Sequence, residues 1–72
     1  MRNRPYTTRA QHALALADAS AEQVGTEYVG TEHLLIGLLE EGTGPAAQLL
    51  NHLGVTTENV RAAWQQQTGR AL

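Results

Sequence analysis

Tyr28-Val29-Gly30-Thr31-Glu32-His33-Leu34-Leu35-Ile36-Gly37-Leu38-Leu39-Glu40-Glu41-Gly42 is the stretch on which the fold turns. Its apolar spacing predicts a helix from about Thr31 to Gly42. Leu34, Leu35, Ile36, Leu38 and Leu39 wrap most of the circumference. A helix apolar on nearly every side is a buried one, so this element is expected at the centre. Gly37 in its middle costs about 1 kcal/mol relative to alanine. Close approach of another helix is the simplest compensation. Glu32 and His33 fall in the first turn, where free backbone N–H groups and the positive end of the dipole favour anions.

Working outward, Thr7 or Thr8 caps a preceding helix that runs to about Val24. Ala10, Ala13, Leu14, Ala17, Ala21 and Val24 mark its inward face, and Gly25 suits a left-handed stop. After the central helix, Gly42-Thr43-Gly44-Pro45 reads as a turn with proline at a first helical position. The third helix is expected from Pro45 to about Leu53, with Ala46, Leu49, Leu50 and Leu53 inward. Thr56 caps a fourth helix, with Glu58 in its first turn and Val60, Ala63 and Trp64 as its buried stripe. No strand-like alternation occurs. The reading is all-α, four helices with short connections, in one domain over residues 6–72 behind a flexible lead, residues 1–5.

With 72 residues there is room for one small domain. A domain of this size buries only about 60% of its unfolded surface, so its core is marginal and pairing is a common remedy. The absence of cysteine excludes disulfides, thiolate metal sites and a cysteine nucleophile. A net charge of −2 argues against a nucleic-acid binder. Tyr6, Tyr28 and Trp64 are too few for a base-stacking platform. The basic lead Met1-Arg2-Asn3-Arg4-Pro5 is not followed by an apolar segment, so no secretory signal is expected and a cytoplasmic location is the default. Met1 and an end at Leu72 without an added tag point to a small natural protein, with a segment of a longer chain as the alternative.

Four blocks together resemble a known family: Thr7-Thr8-Arg9-Ala10, Tyr28 to Leu35, Gly42-Thr43-Gly44-Pro45-Ala46-Ala47, and Leu53-Gly54-Val55. They are similar to the Clp N-terminal repeat, found at the head of ClpA/ClpC-type AAA+ unfoldases. The resemblance runs from about Tyr6 to Thr68 without a gap. It implies a small four-helix unit, half of the eight-helix double repeat that such N-domains normally carry. One copy is present here. No G-x-x-x-x-G-K-[ST] occurs, so the chain has no P-loop for nucleotide, and no cofactor is implied. Glu40-Glu41-Gly42-Thr43-Gly44 stands where the family commonly has Arg-Glu-Gly-Glu-Gly.

The resemblance also implies a role. Family N-domains recruit substrates and adaptors, and ClpC-type members look built to bind phosphoarginine through a threonine opening the first helix and the glutamate of the Gly-Thr-Glu-His turn. These match Thr7 and Glu32; Thr8 and Thr31 are their neighbours. The chemistry fits, since a phosphate takes hydroxyl and N–H donors at a helix start and a guanidinium takes a carboxylate fork. Each residue also has a structural reading: Thr7 as a cap, Glu32 as a partner of the helix dipole. His33 reads as a structural histidine. His12, His33 and His52 lie on three different helices without the i, i+4 spacing of a metal clamp. Glu32 and His33 point about 100° apart on a helix and make no nucleophile–base set, so no enzyme is expected. The expected function is a non-catalytic module that binds a peptide, an adaptor or a phosphoarginine-marked protein and modulates Clp-mediated proteolysis. The alternative is a structural, dimerising or partner-docking domain with no small ligand. A homodimer about a true two-fold is expected, replacing the missing second repeat.

Overall fold

The computed structural model describes residues 4–72. Four helices follow in order: α1 Thr8–Gln23, α2 Thr31–Glu41, α3 Pro45–His52 and α4 Thr57–Thr68. The described residues contain no strand. Of the expected lead, residues 1–3 lie outside the described residues, while Arg4 and Pro5 are exposed coil.

Local chemistry accounts for each boundary. Thr7 is the N-cap of α1, its Oγ1 accepting the Ala10 N–H at 3.1 Å. Gly42 ends α2 at φ 74°, a left-handed conformation that glycine adopts without cost. Pro45 opens α3, where no N–H is missed. Thr56 and Asn59 form a reciprocal capping box at α4, with bonds of 3.2 and 2.9 Å, and the Asn59 amide adds a bond of 2.7 Å to the Gly54 carbonyl.

The central element is α2, the helix that touches each of the other three. It packs antiparallel to α1. The start of α1 meets the end of α2, where Arg9 bonds Thr43. The end of α1, at Gln23 and Val24, shares a pocket with Glu32 and His33. Midway, a Cβ placed on Gly37 would strike the Ala13 carbonyl oxygen and lie 2.9 Å from the Ala17 nitrogen. The close approach inferred from the sequence is therefore present. Ala13, Ala17, Ser20 and Ala21 of α1 are buried, as is Ile36 of α2, which is 0% exposed.

Outside this seam the expected core is thinner than the sequence suggests. Leu14 is 40% exposed, on the rim of the contact. On α3 only Ala47 is buried and Leu50 is half-buried, whereas Ala46 and Leu49, and Leu53 at the C-cap, face outward. The helix is buried only at Ala47, so Leu50 is partly covered while Leu49 and Leu53 are left without cover among the described residues. On α4 no residue is fully buried: Val60 and Trp64 are half-covered and Ala63 is exposed. Two features hold α4 to the body. Arg61 donates to the Leu72 carbonyl at 3.1 Å and to the Glu40 carboxylate at 3.4 Å, and Leu72 itself is buried.

Candidate functional site

At the start of α1, Thr7 and Thr8 stand with Arg9 and Pro45 around an open cleft of about 510 Å³. The Thr7 oxygen is engaged as a cap. The Thr8 hydroxyl makes no hydrogen bond among the described residues and is exposed. Arg9 Nε donates to Thr43 Oγ1 at 3.1 Å, and that hydroxyl donates in turn to the Glu41 carboxylate. Glu41 also accepts the N–H groups of Thr43 and Gly44, at 3.1 and 2.7 Å. Gly44, the N-cap of α3, has no side chain of its own for this purpose. Glu41 therefore caps α3 from the preceding helix. The Thr43 hydroxyl first, then the Gly44 and Thr43 N–H groups and the Arg9 charge, hold its carboxyl below the usual 4.5, while desolvation, second in weight to the Thr43 hydroxyl, opposes them.

At the other end of the hairpin, the start of α2 is closed by His33. The Gly30 N–H donates to His33 Nδ1 at 2.9 Å, which is half a capping box, since glycine returns nothing. His33 is only 2% exposed. Glu32 folds back over Gly30, so that a Cβ added there would land on its carboxylate. Its Oε2 lies 4.0 Å from His33 Nδ1, and it accepts no hydrogen bond among the described residues. Glu32, His33, Trp64 and Arg70 help line a pocket of about 470 Å³. The buried Trp64 Nε1 has no hydrogen-bond partner among the described residues. His33 Nδ1 already accepts a backbone proton, so Glu32 and His33 form no proton relay. Thr31 is the exposed first residue of α2.

The four residues singled out in the sequence are therefore brought together in two pairs, not one cluster. Gly37 sits opposite Ala13 and Ala17. Counting 1.5 Å per residue from that crossing puts Thr7 and Glu32 roughly 20 Å apart along the hairpin. In one copy no single phosphoarginine side chain reaches both. The structure adds Arg9, Glu41 and Thr43 to the Thr7 end. A signal for Glu41 existed, because an acidic side chain precedes a Gly-Thr-Gly-Pro helix start that lacks its own cap. Nothing local pointed to Arg9, whose partner lies 34 residues away. His12 and His52 are exposed, and the described residues contain no grouping of three His, Asp or Glu side chains placed for a metal. No helix of the described residues is long and apolar enough to cross a membrane. A third feature, almost purely apolar, is a groove of about 230 Å³ between α1 and α2, lined by Tyr6, Ala10, Ala13, Leu14, Leu34 and Leu38.

The family described as the Clp repeat (R) N-terminal domain matches residues 5–71. This chain belongs to that family. The Clp repeat is 49% identical over 57 residues to the chloroplastic chaperone protein ClpC of Pisum sativum, covering 79% of this chain and 6% of that protein. It is 46% identical over 65 residues to the Clp protease ATP-binding subunit ClpA homolog of Porphyra purpurea, covering 90% of this chain and 8% of that protein. A chloroplastic ClpA homolog of Brassica napus matches at 49% over 57 residues, 79% of this chain and 6% of that protein. The chain thus spans less than a tenth of the length of these relatives. In this Clp repeat the altered turn has its own bonding: Thr43 links Arg9 to Glu41, and Glu40 pairs with Arg61 of α4.

Proposed function

We propose that this single Clp repeat is a non-catalytic recognition module that binds segments of substrate or adaptor proteins and modulates Clp-mediated proteolysis. Phosphoarginine-marked segments are among its ligands. The observation that supports this most is the cleft at the start of α1, where the Thr7–Thr8 turn, the free N-terminal amides and the Arg9 guanidinium lie together. A phosphate finds hydroxyl, amide and cationic donors there. Glu32, about 20 Å away, offers an unpaired carboxylate to a second, cationic group. An extended peptide of about six residues covers that span, so the ligand is a chain segment and not an isolated amino acid.

The test is an amide NMR titration with a phosphoarginine-containing peptide of about eight residues, against its arginine and phosphoserine counterparts. Saturable shifts at Thr7–Arg9 and at Thr31–His33, specific to phosphoarginine and lost at the second site in Glu32→Ala, support the reading. Shifts at neither end in a well-dispersed spectrum overturn it.

A second reading, pairing of two copies with no small ligand, is favoured by the apolar surface. Tyr6, Leu14, Tyr28, Val29, Leu34, Leu49 and Leu53 are exposed, while among the described residues the only buried hydrophobic side chains larger than alanine are Ile36, Leu39 and Leu72.

A further inference from the structure

The chain exposes 5549 Å². A compact monomer of 7.8 kDa exposes about 4,400 Å². The surface beyond that of a compact monomer includes exposed Arg4 and Pro5 as well as apolar side chains of the helices. Its most coherent apolar portion is the groove between α1 and α2. Alanines Ala10 and Ala13 form a low floor, and Leu14, Leu34, Leu38 and Tyr6 form the raised sides. A small floor between large sides accepts a helix closely, as Gly37 accepts α1.

We propose that this groove seats the same groove of a second copy, about a two-fold axis that passes near Ala10. The proposal rests on the pairing reading and assigns the face that carries it. Charge selects a second copy in antiparallel register. Asp18 lies one turn beyond Leu14 on the same side of α1 and is exposed, without an ion pair among the described residues. Arg4, exposed, precedes Tyr6 at the opposite end. With Ala10 on the axis, Leu14 of one copy lies against Tyr6 of the other. Asp18 is about 12 Å from Ala10 along the helix. Arg4, reached partly through extended chain, lies at most about 16 Å from Ala10 on its N-terminal side. The two-fold therefore carries each acidic end onto a basic end, twice, whereas a parallel arrangement would set Asp18 against Asp18.

Sedimentation equilibrium up to several hundred micromolar tests this on the full chain and on variants whose helical content is checked by circular dichroism. The expected result is a dimer for the parent chain. Leu34→Arg weakens it by more than about a hundredfold, because a charge enters the apolar seam, and Leu53→Arg, on the other exposed leucine patch, leaves it unchanged. Arg4→Glu weakens it about two- to threefold, and adding Asp18→Arg restores it. A monomeric parent chain overturns the pairing and the groove together. A dimer that survives Leu34→Arg, or is lost in Leu53→Arg, overturns the groove and leaves the pairing standing. Failure of the charge exchange to restore affinity overturns the antiparallel register.

Discussion

Where α1 crosses α2 the contact is built from the smallest residues in the chain; where α3 and α4 meet α2 it is built from larger ones and is looser. Ala13 and Ala17 lie so close to Gly37 that no Cβ fits on it, and Ala21 and Ile36 are buried beside them on the two helices. On the far side α3 and its C-cap carry Leu49 at 66% and Leu53 at 76% exposure, and α4 buries no residue fully. Side-chain size alone therefore does not predict which helix is held best. Short side chains allow two backbones to approach over several turns, and close packing over that length gathers many small dispersion gains. The leucines of α3 are larger, but a helix of eight residues that touches its neighbour along one edge leaves them in water. Polar links do much of the joining there: Glu41 caps α3, and Arg61 ties α4 to Glu40 and to the Leu72 carbonyl.

Substitutions on the two sides should separate them sharply. Ile36→Ala empties the one large side chain that is wholly enclosed among the described residues, and is expected to cost about 3 kcal/mol. Urea denaturation followed by circular dichroism measures it, and a loss below about 1 kcal/mol would mean that the seam collapses to fill the space. Gly37→Ala gains helix propensity but drives a methyl group into the Ala13 carbonyl and the Ala17 backbone. A net destabilisation of about 2 kcal/mol is expected in the same assay; a more stable variant would show that the helices separate freely.

Glu41→Gln probes the polar joint between α2 and α3. The folded carboxyl titrates below its usual value, so its contribution is present above about pH 4.5 and disappears as pH falls through the lowered folded value. The variant is expected to be the less stable protein at pH 7, with the gap narrowing as pH falls below about 4.5 and through the lowered folded value. Melting curves across that range that stay parallel would show that Glu41 adds no acid sensitivity. The smallest effect is expected for Leu53→Ser, within about 0.5 kcal/mol of the parent chain under conditions that keep it monomeric. A larger loss would mean that α3 is covered in solution by something that contacts this patch.

The helix boundaries were legible because each rests on a few adjacent residues. Thr7, Gly42, Pro45 and Thr56 act on backbone groups within one turn of themselves, and the structure places every one of them at a helix end. The need for a close neighbour at Gly37 was legible too, since a mid-helix glycine carries a local cost. The inward face of α3 was not. Its leucines recur at helical spacing, but spacing defines a stripe and not whether another element lies over it. The candidate site divides along the same line. Thr7, Thr8, Thr31 and Glu32 stand at helix starts, as read, yet their grouping follows from the antiparallel run of α1 and α2, which sends one pair to each end.

From its sequence alone this chain is all-helical, divided where its caps and breakers fall, and similar to the Clp repeat, because those properties depend on residues close together along the chain. Tertiary structure decided which leucines stay in water, that Arg9, Thr43 and Glu41 join into one network, and that Thr7 and Glu32 lie far apart. Those outcomes depend on the direction and closeness of one helix crossing, where residues some 20 positions apart meet, and no local pattern encodes that geometry.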